Sequence, residues 1–213
     1  VLALSQPELD NLIGGGVTIG GQPGQVNELI VAQAAHFQNV GKVSLVAGDG
    51  NMTLDSPLTA KGALTLITTG SIAQVEGAIV TAPALEVHAG HVSLMEANLV
   101  PAIAGSVSFG EFRFRAADSL IAGVAGSTLG LTTAGGLIDI KSGGVMMIDR
   151  PLDAHGGTVQ LTGHGVASGK YGSVHGNGVA IYSTNGIGTA AAPLWMNTSY
   201  LHAENNQAGV ANP

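Results

Sequence analysis

Short stretches in which apolar and polar residues alternate return along this chain about every twenty residues. They read Val43-Ser44-Leu45, Leu64-Thr65-Leu66, Leu85-Glu86-Val87, Phe112-Arg113-Phe114, Leu129-Gly130-Leu131, Val159-Gln160-Leu161 and Val179-Ala180-Ile181. The first two steps are 21 residues each, and the later ones are 27, 17, 30 and 20. Alternation with period two predicts strands with one buried face. A strand-sized motif at this spacing predicts a β-solenoid, in which each coil covers the apolar face of the one before. Several coils hold two strands around a tight turn. Val43–Val46 and Met52–Leu54 flank Gly48-Asp49-Gly50, Leu85–Val87 and Val92–Leu94 flank Ala89-Gly90-His91, and Leu129–Leu131 and Leu137–Ile140 flank Ala134-Gly135-Gly136. The predicted inward ladder is Val43, Leu45, Leu64, Leu66, Leu85, Val87, Leu94, Phe112, Phe114, Leu129, Leu131, Ile138, Ile140, Val159, Leu161, Val179 and Ile181.

The first 13 residues follow another rule. Ser5-Gln6-Pro7-Glu8 fits a capping box, with Pro7 tolerated in the first turn, and Leu4, Leu9, Leu12 and Ile13 then place apolar groups on one side. A short helical turn ending at Gly14-Gly15-Gly16 is expected, with strand alternation starting at Val17-Thr18-Ile19. Between Leu29 and Phe37 the alanines at 32, 34 and 35 also permit a helical turn. Residues 95–111 and 141–158 miss the beat and are expected to project as loops, where binding tends to reside. The expected organisation is all-β: a junction or cap over 1–13, one right-handed parallel β-helix over 17–205, and a tail over 206–213.

Composition narrows the partners. Gly supplies 33 of the 213 residues without a triplet period, which excludes collagen. Charged residues make up 10% and hydrophobic ones 45%, the reverse of a disordered chain. The net charge is −7, and Arg113 with Arg115 is the densest basic pair, so nucleic-acid binding through phosphate neutralisation is not expected. The chain has no cysteine, hence neither disulfides nor thiolate chemistry. No apolar run approaches the ~18 residues of a membrane helix, and membrane insertion is not expected. The start at Val1 carries no signal-peptide pattern, and the chain reads as a piece of something longer.

Leu4-Ser5-Gln6-Pro7-Glu8-Leu9-Asp10-Asn11-Leu12, followed by Val17-Thr18-Ile19-Gly20, resembles the "LTxAELDxI…GxLxIG" segment of filamentous-haemagglutinin-like exoproteins. Gly186-Ile187-Gly188-Thr189-Ala190-Ala191-Ala192-Pro193-Leu194 resembles that family's "GIGTxxNPL" element, with Ala192 where Asn is usual. Gly62-Ala63-Leu64-Thr65-Leu66 to Gly70-Ser71-Ile72 is similar to its "GxLTLxxxGxI" coils. The resemblance implies a shaft segment of a large secreted bacterial surface protein, exported through an outer-membrane partner transporter and serving adhesion, biofilm or display of a distal domain. Two other readings stand beside it: a self-assembling fibre or matrix subunit that docks head to tail, and a carbohydrate-active β-helix enzyme.

Candidate chemistry is sparse. Asp139 and Asp149, with Lys141 and Arg150 near in sequence, and Glu86, Glu96, Glu111 and Asp118 are the acidic groups a sugar-cleaving site would draw on. Solvated outward positions on strands or turns are the preferred reading of them, and Asp139, between Ile138 and Ile140, is expected to point outward, which fits both. His88 and His91 have HxxH spacing, and His155 and His175 lie one coil apart with His164 between them. Zinc wants three or four converging ligands, and no such set is evident, so no metal, cofactor or catalytic residue is assigned. Gly48-Asp49-Gly50-Asn51 resembles part of a calcium loop but reads better as a type I′ turn. Trp195, Tyr200 and Tyr182 could stack on sugars or form a ladder covering the coil end. The expected partner is a glycan, an exopolysaccharide or a cell surface, met through short polar side chains and the two loops with little dependence on salt.

Overall fold

The computed structural model describes residues 4–22, 24–25 and 28–206. Over these residues the chain is a parallel β-solenoid. Nine strands, from Glu28–Val31 to Tyr200–Asn205, form one sheet in which each strand pairs in parallel with the strand one coil earlier, so eight turns separate the first from the last. A twelve-stranded sheet makes the second face, from Val17–Gly20 to Trp195–Asn197. The first three coils have a third face, the sheet of Ala35–Phe37, Leu58–Ala60 and Val80–Thr81. Residues 1–3 of the expected junction and residues 207–213 of the expected tail lie outside the described residues.

The alternating motif belongs to both large sheets, which explains its uneven beat. Val43, Leu64, Leu85 and Ile103 stand in register in one sheet, as do Leu45, Leu66 and Val87. Met52, Ile72, Val92, Phe112, Ile138, Val159, Val179 and Leu201 stand in register in the other. Passing from Leu85 to Phe112 thus crosses from one sheet to the other. Two rows of branched and aromatic side chains fill the space between the faces, and Phe112, Phe114, Leu64, Leu66 and Leu85 are fully buried. Burying each such side chain contributes ~1.5–3 kcal/mol.

Leu129 is the ladder residue that the structure moves out. Val124–Ala125 and Thr128–Leu129 pair antiparallel as a small hairpin that leaves the coil, so Leu129 is 65% exposed while Leu131 beyond it is fully buried. Gly126 turns this hairpin with φ 57°, and Ser127 keeps a negative φ, the type II′ pattern that suits a two-residue loop. The turn at Gly48 is also type II′ rather than I′, because Gly48 has φ 56° and Asp49 stays negative.

Three further expectations are corrected. Residues 29–37 form strands Glu28–Val31 and Ala35–Phe37. Residues 95–111 are mostly strand, in His91–Asn98 and Ala102–Val107, and residues 141–158 hold Val145–Ile148 and Leu152–Asp153 with Met146, Ile148 and Leu152 fully buried. A register shift between Leu94 and Asn98 hides the first of these from period-two counting. There Asn98 turns inward and is fully buried. Its amide Nδ2 donates to the carbonyls of Leu94 (3.1 Å), Glu96 (2.9 Å) and Arg115 (3.1 Å). Its Oδ1 accepts from Val80 N–H at 2.9 Å and Gln74 Nε2 at 2.7 Å, so a buried amide is satisfied from three successive coils.

The two ends differ. At the first coil the helix Gln6–Asp10 lies against Ala35–Phe37, burying Leu9. Gln6 Nε2 donates to His36 O at 2.9 Å and His36 N–H donates to Gln6 Oε1 at 3.0 Å, so one side chain completes the strand edge. Ser5 N–H and Ser5 Oγ both donate to Glu8, at 2.8 and 2.7 Å. Ile13, expected on the apolar side, is exposed. At the last described coil Leu201, in register with buried Val179, is 48% exposed. Trp195 and Tyr200 pair with Ser173 and Gly178 at outward positions and are exposed, so these aromatic rings do not cover the core.

Candidate functional site: a covered carboxylate and an open polar face

Outward positions carry whatever chemistry a solenoid has, because the inward ones are spent on packing. In the twelve-stranded sheet one outward row runs Ser44, Thr65, Glu86, Ala104. The hairpin folds over it: Glu86 is 7% exposed and Ala104 not at all. Thr128, brought in by the hairpin, donates to Glu86 Oε1 in a short hydrogen bond. Thr65 Oγ1 donates to Oε2 at 3.4 Å, and Lys42 Nζ stands 3.9 Å from it. Gly126 passes so close that a Cβ there would sit 2.7 Å from Oε2. Burial pushes the Glu86 carboxyl up, but the hydrogen bonds from Thr128 and His88 and the charges of His88 and Lys42 outweigh it and hold the group below its ordinary range.

His88 Nε2 lies 3.1 Å from Glu86 Oε1, and its Nδ1 lies 2.9 Å from Ser106 Oγ on the next coil. Carboxylate, imidazole and hydroxyl in that order can relay a proton. Acyl transfer also needs amide or side-chain donors aimed at an oxyanion. Here Gly105 N–H is committed to Gly130 O at 3.1 Å and Ser108 N–H to Ala89 O at 2.9 Å. The cluster ties the hairpin to the sheet through Thr128, and the sequence signal for it was only an acidic residue between Leu85 and Val87.

The other candidates disperse. Asp139 is buried rather than solvated, beneath Arg113, whose Nε stands 3.5 Å from Oδ2. Asp149 belongs to the other large face and pairs with Arg150 at 2.6 Å. Arg150 and Lys170 lie over the Tyr171 ring at 4.7 and 5.0 Å. Glu96 accepts from Gly77 N–H at 3.1 Å, Glu111 stands 3.7 Å from Arg113, and the Asp118 carbonyl accepts from Ser142. His88 and His91 fall on different sheets around the Gly90 corner. His175 pairs with Asp153 rather than His155, and His164 meets Thr184 at 2.8 Å. Among the described residues no group of three or more His, Cys, Asp or Glu side chains is placed to hold a metal ion.

A second outward face lies open on the nine-stranded sheet. One row runs Ser93, Arg113, Asp139, Gln160, Ala180, His202, and beside it Arg115, Lys141, Thr162, Tyr182, Glu204. Tyr182 and His202 meet at 5.5 Å between ring centroids, and His202 Nε2 stands 2.7 Å from Glu204 Oε1. Sequence reasoning found Arg115, Lys141 and Tyr182 but not their alignment in one row, because an eight-residue excursion falls in the coil between Arg115 and Lys141. Among the described residues no helix is long and apolar enough to cross a membrane. No protein-family model, curated protein or solved structure matches this chain.

Proposed function

We propose that this chain is a shaft segment of a large secreted bacterial surface protein of the filamentous-haemagglutinin-like kind, carrying adhesion or display rather than catalysis. The observation that carries the reading is the regular stacking of the coils. Among the described residues the inward ladder runs without interruption from Met52 to Leu201. Coils that each cover the apolar face of the one before build a rod, as a shaft requires. On this reading the chain reaches the cell surface through a partner transporter. Antibodies raised against it are expected to label intact cells of the source organism, and labelling only after permeabilisation would overturn the proposal. The same stacking, repeated between copies rather than within one chain, gives a second reading, a subunit that stacks on copies of itself. Concentration-dependent growth in sedimentation velocity, lost in Leu201→Asp, would select it.

A further inference from the structure

We infer that the open face of the nine-stranded sheet binds a carboxylated glycan, a polyuronate, laid along the solenoid axis across the coils of Arg115, Lys141, Thr162 and Tyr182. The inference goes beyond the shaft reading, since a shaft needs no such face.

The first ground is electrostatic. The chain has only 7 basic residues, and Arg115 and Lys141 stand directly opposite on neighbouring strands. Like charges so placed repel. Arg113, two residues along, has Glu111 at 3.7 Å and Asp139 at 3.5 Å. Among the described residues neither Arg115 nor Lys141 has a carboxylate within the 4.0 Å of an ion pair. Strands in a ladder lie ~4.8 Å apart, so one carboxylate can bridge both cations and turn the repulsion into attraction.

The second ground is the chemistry further along the row. The Thr162 hydroxyl and the Gln160 amide stand on the next coil, and the Tyr182 ring, half-buried and braced by His202, stands on the one after. Cations, then hydroxyl and amide, then an aromatic ring match a polymer that repeats a carboxylate, hydroxyls and an apolar ring face. Three strand steps make the track roughly 14 Å long, enough for a short stretch of linear sugar. A polyanion without sugar rings, such as polyglutamate, offers no apolar ring face to stack on Tyr182. Binding here depends on salt, unlike binding through neutral side chains.

The test is binding of the full chain to polygalacturonate and to hyaluronate, with dextran sulfate, polyglutamate and an uncharged dextran as controls. The two uronates share the carboxylate and differ in their N-acetyl groups, so their ranking sorts the polymer's source. Binding to at least one uronate, falling at least about tenfold between ~0.05 and ~0.5 M salt, is expected. Arg115→Ala with Lys141→Ala is expected to lower affinity about tenfold or more. Tyr182→Ala is expected to lower affinity while leaving the salt dependence unchanged. No binding to either uronate at low salt would overturn the inference. So would equal binding by Arg115→Glu with Lys141→Glu, tighter binding to dextran sulfate, or equal binding to polyglutamate with Tyr182→Ala silent. None of these outcomes bears on whether the chain stands on a cell surface, which the antibody experiment decides separately.

Discussion

Two outward faces of one solenoid carry charge, and they treat it in opposite ways. On the twelve-stranded sheet Glu86 is roofed by a hairpin and held by Thr128, Thr65, His88 and Lys42. On the nine-stranded sheet Arg115 and Lys141 face solvent side by side with no roof. Both faces rest on the same inward rows, so the fold does not set the difference. A corner excursion of eight residues does, by lying over one face and leaving the other bare. In a repeat fold the ladder fixes where side chains point, and insertions between strands decide which are covered.

The shared foundation gives the largest expected effect. Leu66→Asp puts a carboxylate at a fully buried ladder position and is expected to cost several kcal/mol, read as a fall in the denaturation midpoint or as failure to fold. Full stability in this variant would mean that the inward phase is misassigned. Next comes the roofed face: Glu86→Ala removes the acceptor for Thr128 and is expected to cost about 1–3 kcal/mol. Limited proteolysis is then expected to cut within residues 123–130 first.

Acid sharpens the contrast. Folding holds the Glu86 carboxyl below its ordinary value of 4.5, so its contribution is present above that value and is lost as pH falls through the lower folded one. As pH falls below 4.5 the methyl signals of Ala125 and Thr128 are expected to move toward random-coil positions, an effect absent between pH 5 and 8. Glu86→Gln is expected to abolish this transition. The smallest effect belongs to the open face. Lys141→Ala relieves a repulsion at a surface position and is expected to change stability by no more than about 0.5 kcal/mol, on the stabilising side. A clear loss would mean that Lys141 is structurally engaged.

Much of the architecture was legible because alternation is a local signal. Leu64-Thr65-Leu66, Phe112-Arg113-Phe114 and Val159-Gln160-Leu161 could be phased from their neighbours alone. Leu129 could not: Leu129-Gly130-Leu131 has the ladder's letters, but Gly130 takes φ 96° and only Leu131 enters the core. The strand ending at Asn98 was hidden by its register shift, and Met146 to Leu152 by glycine and proline corners that resemble loops. The sites were less legible than the fold, because their partners are distant in the chain. Thr128 reaches Glu86 across 42 residues. Lys141 meets Arg115 across a coil lengthened by the hairpin, so no period in the sequence aligns them.

Asn98 has a mechanical consequence. In a rod built of stacked coils, strand-to-strand hydrogen bonds run along the axis, and tension applied from the side of Tyr200–Asn205 would peel them one coil at a time, each coil yielding before the next is loaded. The Asn98 amide ties Val80 and Gln74 on one coil to Arg115 on the coil two steps away. Peeling that has run down to the strand of Arg115 must also break the bond from Asn98 Nδ2 to Arg115 O, and it uncovers a fully buried amide in doing so. Resistance to peeling is therefore expected to rise at this coil above what the strand ladder alone supplies.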